Sequence, residues 1–193
     1  MAKKKLEFRP DPNGTGLLSK LYITPRQRKK LLKWVLYGLL CVAVLVVQDV
    51  ILSRLTLFGG MAELMPCAIV LICLMEGAES GGVFALAASV FYLFSGTAAG
   101  SYCIALITVP AVLAAVFRSN FLRRSFSSHW LCASTAILIY QMGVFLMGLF
   151  LARTHMARIV AFAVTLVLSV ATMPVLYPLI SLIGKIGGEE WKE

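Results

Sequence analysis

Two histidines, His129 and His155, and five cysteines, Cys41, Cys67, Cys73, Cys103 and Cys132, are the candidates for metal ligation or nucleophilic chemistry. Metal sites and disulfide frameworks need such residues at fixed spacings, and the cysteines stand singly in apolar stretches with no CxxC and an odd count. They read as small buried hydrophobes. Each histidine falls beside the end of an apolar run, a poor position for a metal ligand or a buried base. HExxH and GxSxG are absent, and no pair of aspartates lies within an apolar run. The expectation is a chain without catalytic residues, cofactor or metal.

What remains are isolated polar groups in apolar surroundings: Gln48-Asp49, Glu63, Glu76 and Gln141. Polar residues inside a membrane are costly and mark function or packing. Asp49 lies fifteen residues past Trp34, about 22 Å along a helix, which places it near an interface beside Ser53. Gln141 lies deeper, where an amide bonds across helices or lines a ligand cavity.

The elements that must position these groups follow from composition. The 193 residues are 60% hydrophobic and 14% charged, with mean hydropathy +0.87, against about 45–50% and 25% in a soluble domain. Such a chain has lipid as its solvent. Apolar runs cover Trp34–Leu52, Leu64–Met75, Gly81–Phe94, Tyr102–Phe117, Trp130–Leu151 and Ile159–Ile183. The second and third fall short of the bilayer's hydrocarbon thickness of about 30 Å, and the second is a candidate re-entrant hairpin with the third. Pro174 and Pro178 lie on one face of the last run, where a kink or broken end is expected. The third run and its flanks are rich in small residues (Gly77, Gly81, Gly82, Ala85, Ala88, Ser89), which let helix backbones approach closely. The sequence thus predicts an all-α integral membrane protein with six transmembrane helices, the second and third short.

Charge orients it. Residues 1–33 hold ten basic side chains against Glu7 and Asp11, which accounts for +8 of the net +9. Pro10-Asp11-Pro12-Asn13-Gly14 interrupts this segment, unlike a secretory signal. Its last cluster, Arg26, Arg28, Lys29, Lys30 and Lys33, abuts the first apolar run, a retention signal that also suits anionic lipids at roughly 1 kcal/mol per basic residue. Nucleic acid is not an expected partner, because the patch has no attached fold. With six passes, fifteen Lys and Arg fall on the side of the N-terminal tail and three (Arg54, Arg153, Arg158) on the other. By the positive-inside rule both termini are cytoplasmic. The organisation is a basic tail over 1–33, a membrane domain over 34–185 and a C-terminal tail over 186–193.

Gln48-Asp49, then Ser53-Arg54-Leu55-Thr56-Leu57-Phe58-Gly59, then Glu63-Leu64-Met65-Pro66 resemble the first helix, outer loop and second helix of MreD, the rod-shape-determining membrane proteins of bacteria. The glycine-rich turn Gly77–Gly82 and the small-residue helix leading to Ser95-Gly96 and Gly100 resemble that family's next block. The chain departs from the pattern at Tyr92, where an aspartate is usual, and at Ala87 and Ala88, where glycines are expected. The resemblance spans most of residues 31–183. It implies a non-enzymatic scaffold of the cell-elongation complex in the bacterial cytoplasmic membrane. Its partners would be an MreC-like protein, the MreB filament and cell-wall synthases. It also implies a fold similar to the substrate-binding subunits of energy-coupling-factor transporters.

Those vitamin-binding subunits are the alternative function. They carry alanines every fourth residue on helix one, where positions 38, 42 and 46 here read Gly-Val-Val. Under the scaffold reading the candidate partner-binding residues are Gln48, Asp49, Arg54, Leu57, Phe58 and Glu63. This stretch sets apolar side chains between charged or amide groups, the usual mark of an interface.

Overall fold

The computed structural model describes residues 25–54, 59–122, 125–152 and 154–186. The basic tail to residue 24, the candidate residues Leu57 and Phe58, Arg123, Arg124, Arg153 and the C-terminal residues 187–193 lie outside them. The described chain is all-helical: α1 (Pro25–Val50), a 3-10 turn (Leu52–Arg54), α2 (Leu64–Glu76), α3 (Ala78–Phe94), α4 (Cys103–Phe121), α5 (Phe126–Phe150), a second 3-10 turn (Met156–Arg158) and α6 (Ile159–Ile186). Each expected apolar run falls on one helix. α1 begins nine residues before Trp34, inside the basic segment, because proline suits the first helical position and Arg, Lys and Gln are strong helix formers. α6 continues as one helix through Pro174 and Pro178.

Four helices are long and apolar enough to cross a membrane: Gln27–Val50, Cys103–Phe121, Phe126–Phe150 and Met156–Ile186. Their outward faces carry exposed aliphatic side chains at helical spacing, such as Val35, Leu39, Val42 and Val46 on α1. Apolar stripes of this extent belong against lipid.

α2 is different. Its 13 residues rise about 20 Å, less than the hydrocarbon thickness, and every residue from Leu64 to Met75 is buried. All five other helices pack against it. A helix that is apolar all round must be surrounded, and here the surroundings are protein. α3, of 17 residues, turns back on it through Gly77 (φ 89°). The two helices cross closely at Gly81, where a Cβ would stand 2.7–2.8 Å from the Cys73 backbone. Of the small residues of this stretch, Gly81, Ala85, Ala88 and Ser89 are buried within the chain.

Successive helices run antiparallel. Lys33 of α1 meets Glu76 at the far end of α2, Ser134 of α5 lies against Met173 of α6, and Gly184 of α6 approaches Tyr37 of α1. Pro25 and Ile186 consequently lie at the same end of the bundle.

Candidate functional site

At the end shared by Pro25 and Ile186, polar groups tie helices together. Lys33 Nζ lies 2.6 Å from Glu76 Oε2, and Tyr37 Oη donates to Glu76 Oε1 at 2.8 Å. Lys33 and Tyr37 are one turn apart on α1 and so reach one partner. Trp34 and Phe84 pack beside them, with ring centroids 5.5 Å apart. Between α4 and α5, Arg118 Nη1 donates to His129 Nε2, while His129 Nδ1 donates to the Ser125 carbonyl at 2.7 Å. Those partners assign a neutral imidazole. His129 is in the first turn of α5 and buried, and His155 is exposed. In the first cluster both carboxyl oxygens of Glu76 are matched.

The opposite end is built differently. Residues 59–63 lead into the bundle, with Gly60 and Ala62 buried ahead of the first residue of α2, Leu64, which is buried too. Backbone at membrane depth is tolerated only where protein covers it and satisfies its donors. Three donors here meet side chains of other helices: Met61 N–H reaches Thr165 Oγ1 at 3.3 Å, Glu63 N–H reaches Ser169 Oγ at 3.0 Å, and Met65 N–H reaches Gln48 Oε1 at 2.9 Å. Gln48 thus satisfies an orphan donor in the first turn of α2, while Thr165 and Ser169 satisfy the backbone that leads into it. The approach is so close at Gly60 that a Cβ would stand 2.6 Å from the Ala161 carbonyl oxygen.

This re-entry carries the Glu63 carboxyl into the interior. The residue is half-buried as a whole, but its Oε2 is buried and completes no hydrogen bond. Tyr140 and Gln141 of α5 approach the carboxyl; Tyr92 of α3 approaches Gln48. Gln141 is 4% exposed, and its amide is one of the hydrogen-bonding neighbours of the Glu63 carboxyl. Buried polar groups in a folded protein are nearly always bonded, and here Tyr140 and Gln141 enclose the Glu63 carboxyl.

Gln141 also forms part of the wall of a cleft of about 220 Å³ between α5 and α6, with Leu138, Met142, Phe145, Phe162 and Leu166. A second groove of about 390 Å³ along α6 is lined by aliphatic residues alone, Ile159 to Leu168. The first cleft is the candidate site because it adjoins polar chemistry. With one carboxyl, one amide and neighbouring phenols, that chemistry is hydrogen bonding.

Of the six candidate residues from the sequence, Gln48 and Glu63 come together around the start of α2 and face inward. Asp49 is half-buried and Arg54 is exposed. Sequence reasoning missed Thr165, Ser169 and Tyr140. The signal for the first two was available: hydroxyls four residues apart on an apolar helix lie one above the other on one face. Comparison of the chain with protein-family models, with curated proteins and with solved structures finds no match.

Proposed function

We propose that the chain is a non-enzymatic membrane scaffold of the MreD type, partnering an MreC-like protein in the complex that organises peptidoglycan synthesis and maintains rod shape. In this reading it lies in the bacterial cytoplasmic membrane. All six helices count as passes, in a fold similar to the substrate-binding subunits of energy-coupling-factor transporters. Both termini are cytoplasmic, and the basic tail lies on anionic lipid. The carrying observation is the hydrogen bond from Met65 N–H to Gln48 Oε1. It joins two of the three residue blocks on which the resemblance rests, the end of helix one and the acidic opening of helix two. With Gln48 and Glu63 turned inward, Asp49, Arg54, Leu57 and Phe58 are the candidates left to meet the partner.

The test is co-purification with the MreC-like protein at equal membrane abundance, alongside the shape of depleted cells. Retained partner, its loss in Leu57→Ser/Phe58→Ser, and rounding on depletion are the expected results. Loss of partner binding in neither variant nor depletion background would sink the interface. The cleft between α5 and α6, with Gln141 in its wall, favours a second reading, a vitamin-binding subunit of an energy-coupling-factor transporter. Co-purified transport ATPases with unaltered cell shape would establish that reading in place of the first.

A further inference from the structure

We propose that Glu63 is a proton-binding site: its carboxyl is kept as the neutral acid inside the bundle, and the bound proton holds the entry of α2 in place. Its Oε2 is buried, so a larger ligand reaches it only if the bundle opens, whereas a proton needs no cavity. The charge of the surroundings decides between acid and carboxylate. Tyr140 and Gln141 of α5 bond to the carboxyl. Cys67 of α2, Tyr92 of α3 and Cys103 of α4 lie within range of its charge. Gln48 of α1 and Ser169 of α6, at the same entry, are uncharged. Every titratable member of this set is an acid, as is Asp49, next along α1. No Lys, Arg or His acts on the carboxyl. Glu76, at the other end of α2, has the Lys33 ammonium at 2.6 Å; Glu63 has no such partner among the described residues.

A helix start ordinarily favours a carboxylate, and Glu63 occupies the N-cap position of α2. Here that help is withheld. An N-cap side chain accepts from the N–H of the second or third helical residue. The second, Met65, donates to Gln48 Oε1 at 2.9 Å, and the third is Pro66, which has no N–H. The Glu63 side chain accordingly makes no cap hydrogen bond and meets α5 instead. An amide and a carboxylic acid each carry a donor and an acceptor, so Gln141 complements the neutral acid, whereas a carboxylate only accepts. Ionisation leaves an unpaired charge in this interior, which is strongly unfavourable, and turning the entry of α2 outward into water relieves it. The proposal does not rest on the scaffold reading, and failure to capture an MreC-like protein leaves it standing.

The experiment uses the full chain, unfolded reversibly in mixed micelles at about pH 5 to 8, where an ordinary glutamate of pKa about 4.3 is ionised. The folded state keeps a proton that the unfolded chain gives up, so stability falls as pH rises through this window. Glu63→Gln, an uncharged isostere of the acid, is the reference, and other titrating groups cancel in the comparison. Relative to it, the wild-type unfolding constant should rise about tenfold per pH unit, the effect of one proton, until the folded carboxyl itself ionises. Infrared spectroscopy with carbon-13-carboxyl glutamate reads the proton directly. A carboxylic-acid carbonyl band is expected at neutral pH, absent in Glu63→Gln and shifted in Tyr140→Phe, which removes one hydrogen bond to the carboxyl. Parallel pH profiles, a wild type that gains on Glu63→Gln as pH rises, or glutamate bands of carboxylate alone at neutral pH would overturn the proposal. Should Glu63→Gln fail to fold, the wild-type band and its shift in Tyr140→Phe decide the matter.

Discussion

Lys33 and Glu76 are oppositely charged side chains that are each about nine-tenths buried, and their pairing holds α1 against the end of α2. Two ions taken out of water return little net stability as a pair, but removing one leaves the other uncompensated at a cost of about 3–5 kcal/mol. Lys33→Met should therefore destabilise the fold by about 3 kcal/mol, cushioned by the hydrogen bond that Tyr37 continues to donate. Lys33→Met/Glu76→Met should recover most of that loss, because apolar groups of similar volume replace the pair. Reversible unfolding in mixed micelles, arranged as a double-mutant cycle, measures the coupling. Additive losses would mean that the two side chains act separately.

At the scale of elements, the long helices were legible because apolar length is what a bilayer demands, and the shortness of α2 and α3 was legible for the same reason. The place of α2 was not. Lipid tails are as apolar as leucine, so a run such as Leu64–Met75 reads alike whether lipid or protein surrounds it. Likewise the start of α1 lay hidden in the basic segment, since apolarity marks membrane depth and carries no information on where hydrogen bonding begins. Glu63 was legible as the residue opening helix two; its meeting with Gln141 was not, because 78 positions separate them and only the re-entry after Gly60 brings them together. The central position of α2 has a measurable consequence. Ile72→Ala, at a fully buried site, should cost about 2–5 kcal/mol through lost contact and the cavity left behind. Leu39→Ala, on the exposed face of α1, should fall within about 0.5 kcal/mol. Equal losses from the two, in the same unfolding assay, would place α2 against lipid.

For the molecule as a whole, the antiparallel order of the helices and the distribution of charge make separate statements about sidedness. Pro25 lies at the same end of the bundle as Ile186, while the turn Met156–Arg158 before α6 lies at the other. This geometry fixes which segments share a side and leaves open which side is cytoplasmic. The fifteen-to-three division of Lys and Arg supplies that choice, because basic residues near the ends of spans are retained in the cytoplasm. The expected topology has the C-terminus inside and residues 153–158 outside. Reporter fusions active only in the cytoplasm should work at residue 193 and fail within 153–158, with the reverse pattern for a reporter active only after export. Removing the basic cluster Arg26 to Lys33 by glutamine substitution leaves five basic residues in the tail and still favours the same orientation, so the pattern should persist. Its inversion would show that this cluster alone orients the chain. Activity of one reporter at both sites in the unaltered protein would mean an even number of crossings between them, and the six-pass arrangement would fall.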